Sequence, residues 1–185
     1  MKIGILSVQG AFIEHEQVLS GLGCDCVEFR KKTDICSVDG LVLPGGESTV
    51  QGKLLHELHM FDAIKEIIHS DIPVLATCAG LILLADKISN DSHSYFRTMP
   101  VTVKRNAYGR QLGSFHRDAS FADIGEVPMT FIRAPYIEDV ADDVTVLSTI
   151  DGHIVAARYK KQIGLAFHPE LDHDTRIHEY FVHQI

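Results

Sequence analysis

The sequence predicts an α/β domain of three layers, a mostly parallel sheet between helices, and three observations carry that prediction. Short apolar runs alternate with amphipathic stretches of helical period through about residue 87. Those runs are apolar nearly throughout, as strands buried on both faces are. The 185 residues, 45% of them hydrophobic, suit one core without disulfide staples, so a single domain over 1–185 is expected.

Lys2 to Val8 reads as the first buried strand. Ala11, His15, Val18, Leu19 and Leu22 then recur on one helical face, and Gly21 and Gly23 stop that helix. A short strand follows at Val27 to Phe29, and another at Gly40 to Leu43 ends in Pro44-Gly45-Gly46. Ser48 with Gln51 resembles a capping box that opens a helix with Leu54, Leu58, Phe61, Ile64 and Ile68 inward. Ile72 to Thr77 is a further strand, leading into a helix from about Ala79 to Lys87. After Asn90 the texture changes to β-like runs at Val101–Val103, Met129–Ile132, Val144–Leu147, His153–Arg158 and Ile163–Phe167. Asp151-Gly152 separates two of them as a hairpin turn would. A last helix is expected from about Asp174 to the C-terminus. The elements sum to a flavodoxin-like sheet with helices on both faces and extra β-hairpin strands in the C-terminal half.

Charge and cysteine usage exclude several function classes. The net charge of −8 argues against non-specific binding to nucleic acid or an anionic membrane. The apolar stretch Ile3 to Val8 is too short for a signal-peptide core. The longest uncharged run, between Asp71 and Asp86, contains Pro73 and Gly80 and fits core elements, not a membrane span. Cys24, Cys26, Cys36 and Cys78 form no C-x-x-C pair and no disulfide framework, so a reduced, cytoplasmic protein is expected. No role is assigned to Cys24, Cys26 or Cys36. His56 and His59 read as an exposed helix face, and His173, His178 and His183 cannot share one face at helical pitch, so no metal site is expected.

The main chemical feature is Ala76-Thr77-Cys78-Ala79-Gly80. An apolar strand ends at Cys78 and a Leu/Ile-rich helix begins at once, with small residues two positions either side, as a nucleophile elbow requires. A helix N-terminus favours the thiolate; a buried inert thiol is the alternative. A thiol nucleophile needs a base and a group to orient it. Phe167-His168-Pro169-Glu170 supplies both where the last strand ends, Glu170 fixing the tautomer of His168. The alternative there is a packed His beside a solvated Glu. Amides near Gly46 and the amide of Ala79 are candidate donors to an oxyanion, although a plain Pro-Gly-Gly turn explains Gly45-Gly46 equally.

Pro44-Gly45-Gly46-Glu47-Ser48-Thr49, Thr77-Cys78-Ala79-Gly80-Leu81-Ile82-Leu83 and Phe167-His168-Pro169-Glu170-Leu171 together resemble the class I (triad) glutamine amidotransferases. Arg105-Asn106 with Gly109-Arg110-Gln111, Phe131-Ile132-Arg133-Ala134-Pro135 and the opening Val8-Gln9-Gly10 narrow the resemblance to the glutaminase subunits of pyridoxal 5′-phosphate synthases. The motifs span Gln9 to Leu171. The resemblance implies hydrolysis of L-glutamine to glutamate and ammonia without a metal or organic cofactor. It implies also that the ammonia passes to a separate (β/α)8-barrel synthase subunit in a hetero-oligomer. Cys78, His168 and Glu170 match the triad, and Gly46, Glu47, Ser48, Arg105, Ile132 and Arg133 match the glutamine-contacting positions. Two guanidinium groups suit an α-carboxylate and Glu47 the α-ammonium, whereas surface ion pairs would also explain either Arg and helix capping Ser48. Gln9 and Gly10 match a partner-responsive loop near the oxyanion site, and an ordinary turn is its alternative.

The sequence departs from the family at Ala76, where Gly is usual, and at Ser7 and Val8; none of the three touches the triad. Another ammonia-supplying glutaminase, such as that of histidine biosynthesis, is the enzyme rival, against which the Arg105 and Ile132-Arg133 blocks argue. A non-catalytic subunit that keeps the fold is the rival of another class, disfavoured by the intact Cys78, His168 and Glu170.

Overall fold

The computed structural model describes residues 1–107 and 113–185. The first half runs β1 (Lys2–Leu6), α1 (Phe12–Gly21), β2 (Asp25–Phe29), β3 (Gly40–Leu43), α2 (Ser48–Glu57), α3 (Phe61–His69), β4 (Val74–Thr77) and α4 (Ala79–Leu84). The second half is mostly strands: β5 (Ala85–Ile88), β6 (Met99–Lys104), β7 (Ser114–Ser120), β8 (Glu126–Ile132), β9 (Tyr136–Val140) and β10 (Thr145–Ile150). It closes with β11 (His153–Tyr159), β12 (Gln162–Leu165) and α5 (Arg176–Val182), after a 3-10 turn at Pro169–Leu171.

The large sheet has the order β2-β1-β3-β4-β12-β11-β9-β6-β5, with β10 on β11, and β7 and β8 form a separate ribbon. β2, β1, β3, β4 and β12 are mutually parallel, the order a flavodoxin-like fold requires. Every residue of β3, β4 and β12 is buried, so both faces of the sheet are covered. Cross-strand register places Leu43, Ala76 and Gly164 on one face, which puts Gly40 on the other. Leu81 of α4 lies over Gly164, and Phe181 of α5 lies over Gly40. α1 joins α5 on that second face through a contact between His15 and His178. The three-layer expectation therefore holds.

Asp151 and Gly152 have φ of 49° and 83° and turn β10 into the antiparallel β11, as their sequence predicts. Other expectations need correction. The stretch from Ser48 is not one helix but α2 and α3, broken at His59, whose φ is 54°. There the amide of Met60 reaches back to the carbonyl of Leu55 at 2.9 Å and the Met60 side chain enters the core. The same closure ends α1, where Gly23 takes the left-handed position and Cys24 N bonds Leu19 O at 3.0 Å. Leu58, expected inward, is exposed. Ser48 and Gln51 form no capping box: Glu47 precedes the first helical residue without capping it, and Gln51 reaches other loops. The helix after Cys78 stops at Leu84 rather than Lys87, because Ala85 turns extended and β5 pairs with β6. The strands β5, β7 and β9 were not foreseen. Cys24, Cys26, Cys36 and Cys78 are free thiols. Among the described residues no helix is long and apolar enough to cross a membrane.

Candidate active site

Four parallel strands deliver the site, because their C-terminal ends lie side by side. β1 leads to Gln9, β3 to Gly45-Gly46, β4 to Cys78 and β12 to His168. Cys78 has φ 47° and ψ −97°, a conformation that non-glycine residues rarely adopt and that turns β4 abruptly into α4. Its amide is held by the carbonyl of Leu165 at 2.7 Å. Gly80 must be small, since a Cβ there would stand 2.0 Å from the carbonyl oxygen of Leu43. Ala76 is wholly buried between Leu43 and Gly164 on the α4 face, so its methyl belongs to the core and not to the turn.

His168 is nearly buried. Its amide donates to Thr130 O at 2.8 Å, and its Nδ1–H donates to Glu170 Oε1 at 2.7 Å. Gly45 packs against the imidazole so closely that a Cβ would lie 2.2 Å from Cε1. Burial disfavours the imidazolium, but hydrogen bonds and charge from Cys78 and Glu170 outweigh it and push His168 up to about 10. Burial likewise opposes the Glu170 carboxylate, yet His15 and His168 hold its pKa below the ordinary value. The Cys78 sulfur also contacts Ile132 O at 4.0 Å. The thiol of Cys78, the imidazole of His168 and the carboxylate of Glu170 thus stand in line, an arrangement with the chemistry for nucleophilic catalysis.

A cleft of about 180 Å³ opens in front of them, lined by Gln9, Gly46, Glu47, Ser48, Cys78, Ile82, Arg105, Asn106, Ile132, Arg133 and His168. It is smaller than the roughly 300–1,000 Å³ of drug-sized ligand sites, a size that suits an amino acid. All the glutamine-contacting candidates from the sequence line it: Gly46, Glu47, Ser48, Arg105, Ile132 and Arg133. The Ser48 hydroxyl is buried there with no hydrogen-bond partner among the described residues. Arg133 is bonded to the Glu47 carboxylate, and Arg105 Nη1 to Asp91 Oδ2 at 2.6 Å. Hydrogen bonds from the backbone and ring of His93, then from Arg105, bring Asp91 down to about 2. Ala79 is the first residue of α4, directly after the sulfur. Gln9 Oε1 accepts the amide of Glu47 at 2.8 Å, while Gly10 lies against the Gly45 carbonyl. The Gly109-Arg110-Gln111 block lies outside the described residues.

Several neighbours had no sequence signal as site residues. Gln51 ties the loops together by donating to Gln9 O at 2.9 Å and Pro44 O at 3.1 Å. Thr77 accepts the amide of Gly45 at 2.8 Å. His15 stands 3.3 Å from Glu170 Oε2, and its one available signal is a titratable residue on an inward helical face. Asp91 carried none. Among the described residues no three His, Cys, Asp or Glu side chains are grouped to hold a metal ion.

Comparison with known proteins shows the family. A family model described as the SNO glutamine amidotransferase family matches residues 5–185. A curated relative, the pyridoxal 5′-phosphate synthase subunit PdxT of Desulfitobacterium hafniense, is 61% identical over 100% of this chain and 94% of its own length. PdxT of Streptococcus pneumoniae is 51% identical over 98% of this chain and 96% of its own. The crystal structure of a glutamine amidotransferase superposes with a TM-score of 0.92 at 36% identity, covering 98% of this chain and 97% of that one. PurLQS of Thermotoga maritima, at 12% identity and a TM-score of 0.72 over 98% and 97% of the two chains, shares the fold. A match running nearly end to end, with relatives this similar, places the chain in the SNO glutamine amidotransferase family.

Proposed function

We propose that this chain is the glutamine-hydrolysing subunit of a pyridoxal 5′-phosphate synthase, one domain working through Cys78, His168 and Glu170. The observation that carries the reading is the alignment of the Cys78 sulfur, the His168 imidazole and the Glu170 carboxylate at a cleft lined by every expected glutamine contact. With its pKa pushed up to about 10, His168 holds the proton that the reaction needs, whether it takes that proton from Cys78 or already carries it at rest. The thiolate attacks the side-chain amide carbon of L-glutamine. The amides of Gly46 and Ala79 hold the oxyanion, and His168 gives its proton to the departing ammonia. Water, deprotonated by the freed imidazole, then cleaves the γ-glutamyl thioester and restores the thiolate.

Arg105 and Arg133 serve the α-carboxylate and Glu47 the α-ammonium, with the Ser48 hydroxyl and the Ile132 carbonyl beside them. Both Arg side chains already carry an acid partner, so glutamine competes with Asp91 and Glu47 for them. Gln9 grips the amide of Glu47, next to the Gly46 donor, which makes Gln9-Gly10 the route by which a partner acts on the oxyanion site. That partner is the (β/α)8-barrel synthase subunit, which receives the ammonia in the cytoplasm. The test is a glutaminase assay with and without the synthase subunit. Cys78→Ala abolishes turnover while the fold persists; retained turnover overturns the assignment. Stimulation by a different ammonia acceptor and not by this synthase overturns the partner.

A further inference from the structure

We infer that His15 and His178 form a second, buried arm of the triad, which holds the outer oxygen of Glu170 and so positions His168. The inference rests on the triad reading above. Glu170 has two carboxylate oxygens, and only Oε1 is taken by His168. Oε2 is buried without a regular hydrogen bond among the described residues, and His15 Nε2 stands 3.3 Å from it. On its other side, His15 Nδ1 lies 3.0 Å from His178 Nε2. His15 and His178 are both wholly buried, which is unusual for a titratable pair remote from the substrate cleft.

The surroundings select one pair of tautomers. A carboxylate oxygen facing His15 Nε2 demands a proton on that nitrogen, since two lone pairs would repel. His15 Nδ1 is then an acceptor, and His178 supplies the donor from Nε2. His178 Nδ1 is left bare, consistent with its burial away from any acceptor among the described residues. In the opposite pair of tautomers that nitrogen would carry a buried, unpaired N–H, the costlier arrangement. His15 Nε2 makes its hydrogen bond to Thr77 Oγ1 at 3.2 Å, with Glu170 Oε2 beside it, and Thr77 accepts the Gly45 amide, so the arm reaches the loop of the oxyanion donors.

Burial lowers the pKa of His15, against the opposing pull of the Glu170 charge, and burial brings His178 down to about 3. The ionisable groups around Glu170 are His168 with Cys78 behind it and His15 with His178 behind it; Glu14 also acts on His15 from the same helix. His15 and His178 are therefore positioning residues that act through Glu170. Losing the polar His15 contact beside a buried carboxylate also makes that carboxylate easier to protonate.

The test compares His15→Leu, His15→Gln, His178→Leu and Cys78→Ala in glutamine hydrolysis with the synthase subunit present. His15→Leu should lower kcat about tenfold or more while KM stays within about twofold, because the polar contact to the Glu170 carboxylate is lost outside the cleft. The acid limb of its kcat/KM profile should move to higher pH. His15→Gln, whose amide N–H can meet Oε2, should recover most of kcat, and His178→Leu should fall between. Wild-type kcat and acid limb in His15→Leu overturn the inference, as does His15→Gln no better than His15→Leu with both folded. Turnover retained in Cys78→Ala instead overturns the triad reading beneath it. Should His15→Leu fail to fold, 15N NMR of the wild-type protein decides: a proton on His15 Nδ1 overturns the inference, and one on Nε2 supports it.

Discussion

Replacing Thr77 by Val removes one oxygen from the centre of the site and keeps the side-chain shape. Thr77 is wholly buried, and its Oγ1 accepts the amide of Gly45, itself buried, at 2.8 Å. Valine leaves that amide without a partner in a space closed to water. An unsatisfied buried donor costs about 1–3 kcal/mol, so the expected loss of stability is about 2 kcal/mol. For a chain of this length that corresponds to a fall in Tm of about 4–8 °C. Urea unfolding at neutral pH measures it directly, with a lower midpoint and an unchanged slope. Thr77→Ser restores the oxygen and deletes one buried methyl, worth about 0.8 kcal/mol, so it should regain more than half of the loss. The same bond anchors the residue before Gly46, the proposed oxyanion donor, so kcat should fall in Thr77→Val even where the variant is fully folded. A Thr77→Val protein with wild-type midpoint and wild-type kcat would refute the reasoning.

Three further expectations follow from single contacts. Gly80→Ala drives a methyl into the Leu43 carbonyl, which cannot yield without moving β3, and overpacking of this kind costs about 3 kcal/mol; thermal unfolding reads it. Arg133 is largely exposed and its pair with Glu47 contributes little to folding, so Arg133→Ala should leave Tm unchanged while raising KM for glutamine about tenfold or more. An unchanged KM would remove Arg133 from carboxylate binding. The His178 pKa is about 3 in the folded chain against about 6.5 when unfolded, so the unfolded state takes up the proton first as pH falls. Stability should therefore drop from about pH 6.5 downward, by about 2 kcal/mol on reaching pH 5, and urea titrations of His178→Leu should lack that part of the slope.

The parallel half of the sheet was legible because burial on both faces writes continuous apolar runs, as Leu41-Val42-Leu43 and Val74-Leu75-Ala76 show. The break between α2 and α3 was not. α1 closes on Gly23, a residue whose identity announces a left-handed turn, whereas α2 closes on His59, which announces nothing. The β7 strand is mostly exposed and, among the described residues, pairs with β8 in a two-stranded ribbon, so its residues carry no apolar alternation to read. β5 was absorbed into the preceding helix because Leu84, Ala85 and Lys87 are good helix formers; pairing with β6 overrides that preference.

The site divides along a different line. Cys78 and Gly80 were legible because the turn that strains Cys78 also restricts its neighbours, and His168 and Glu170 because they sit two apart where the last parallel strand ends. A residue held at φ 47° costs about 1–3 kcal/mol and persists only where the surroundings impose it. Here the imposing contacts are the Leu165 carbonyl on the Cys78 amide and the Leu43 carbonyl beneath Gly80, one from each strand flanking β4. The support behind Glu170 has no such pattern, because α1 and α5 lie 163 residues apart at the His15–His178 contact. Neither helix needs a special backbone to place its imidazole, so a buried His on an apolar stripe reads as packing until the fold brings the two together. The elbow and the proposed triad are thus written locally. The contacts to the second oxygen of Glu170 are written instead in the packing of two helices on the far face of the sheet.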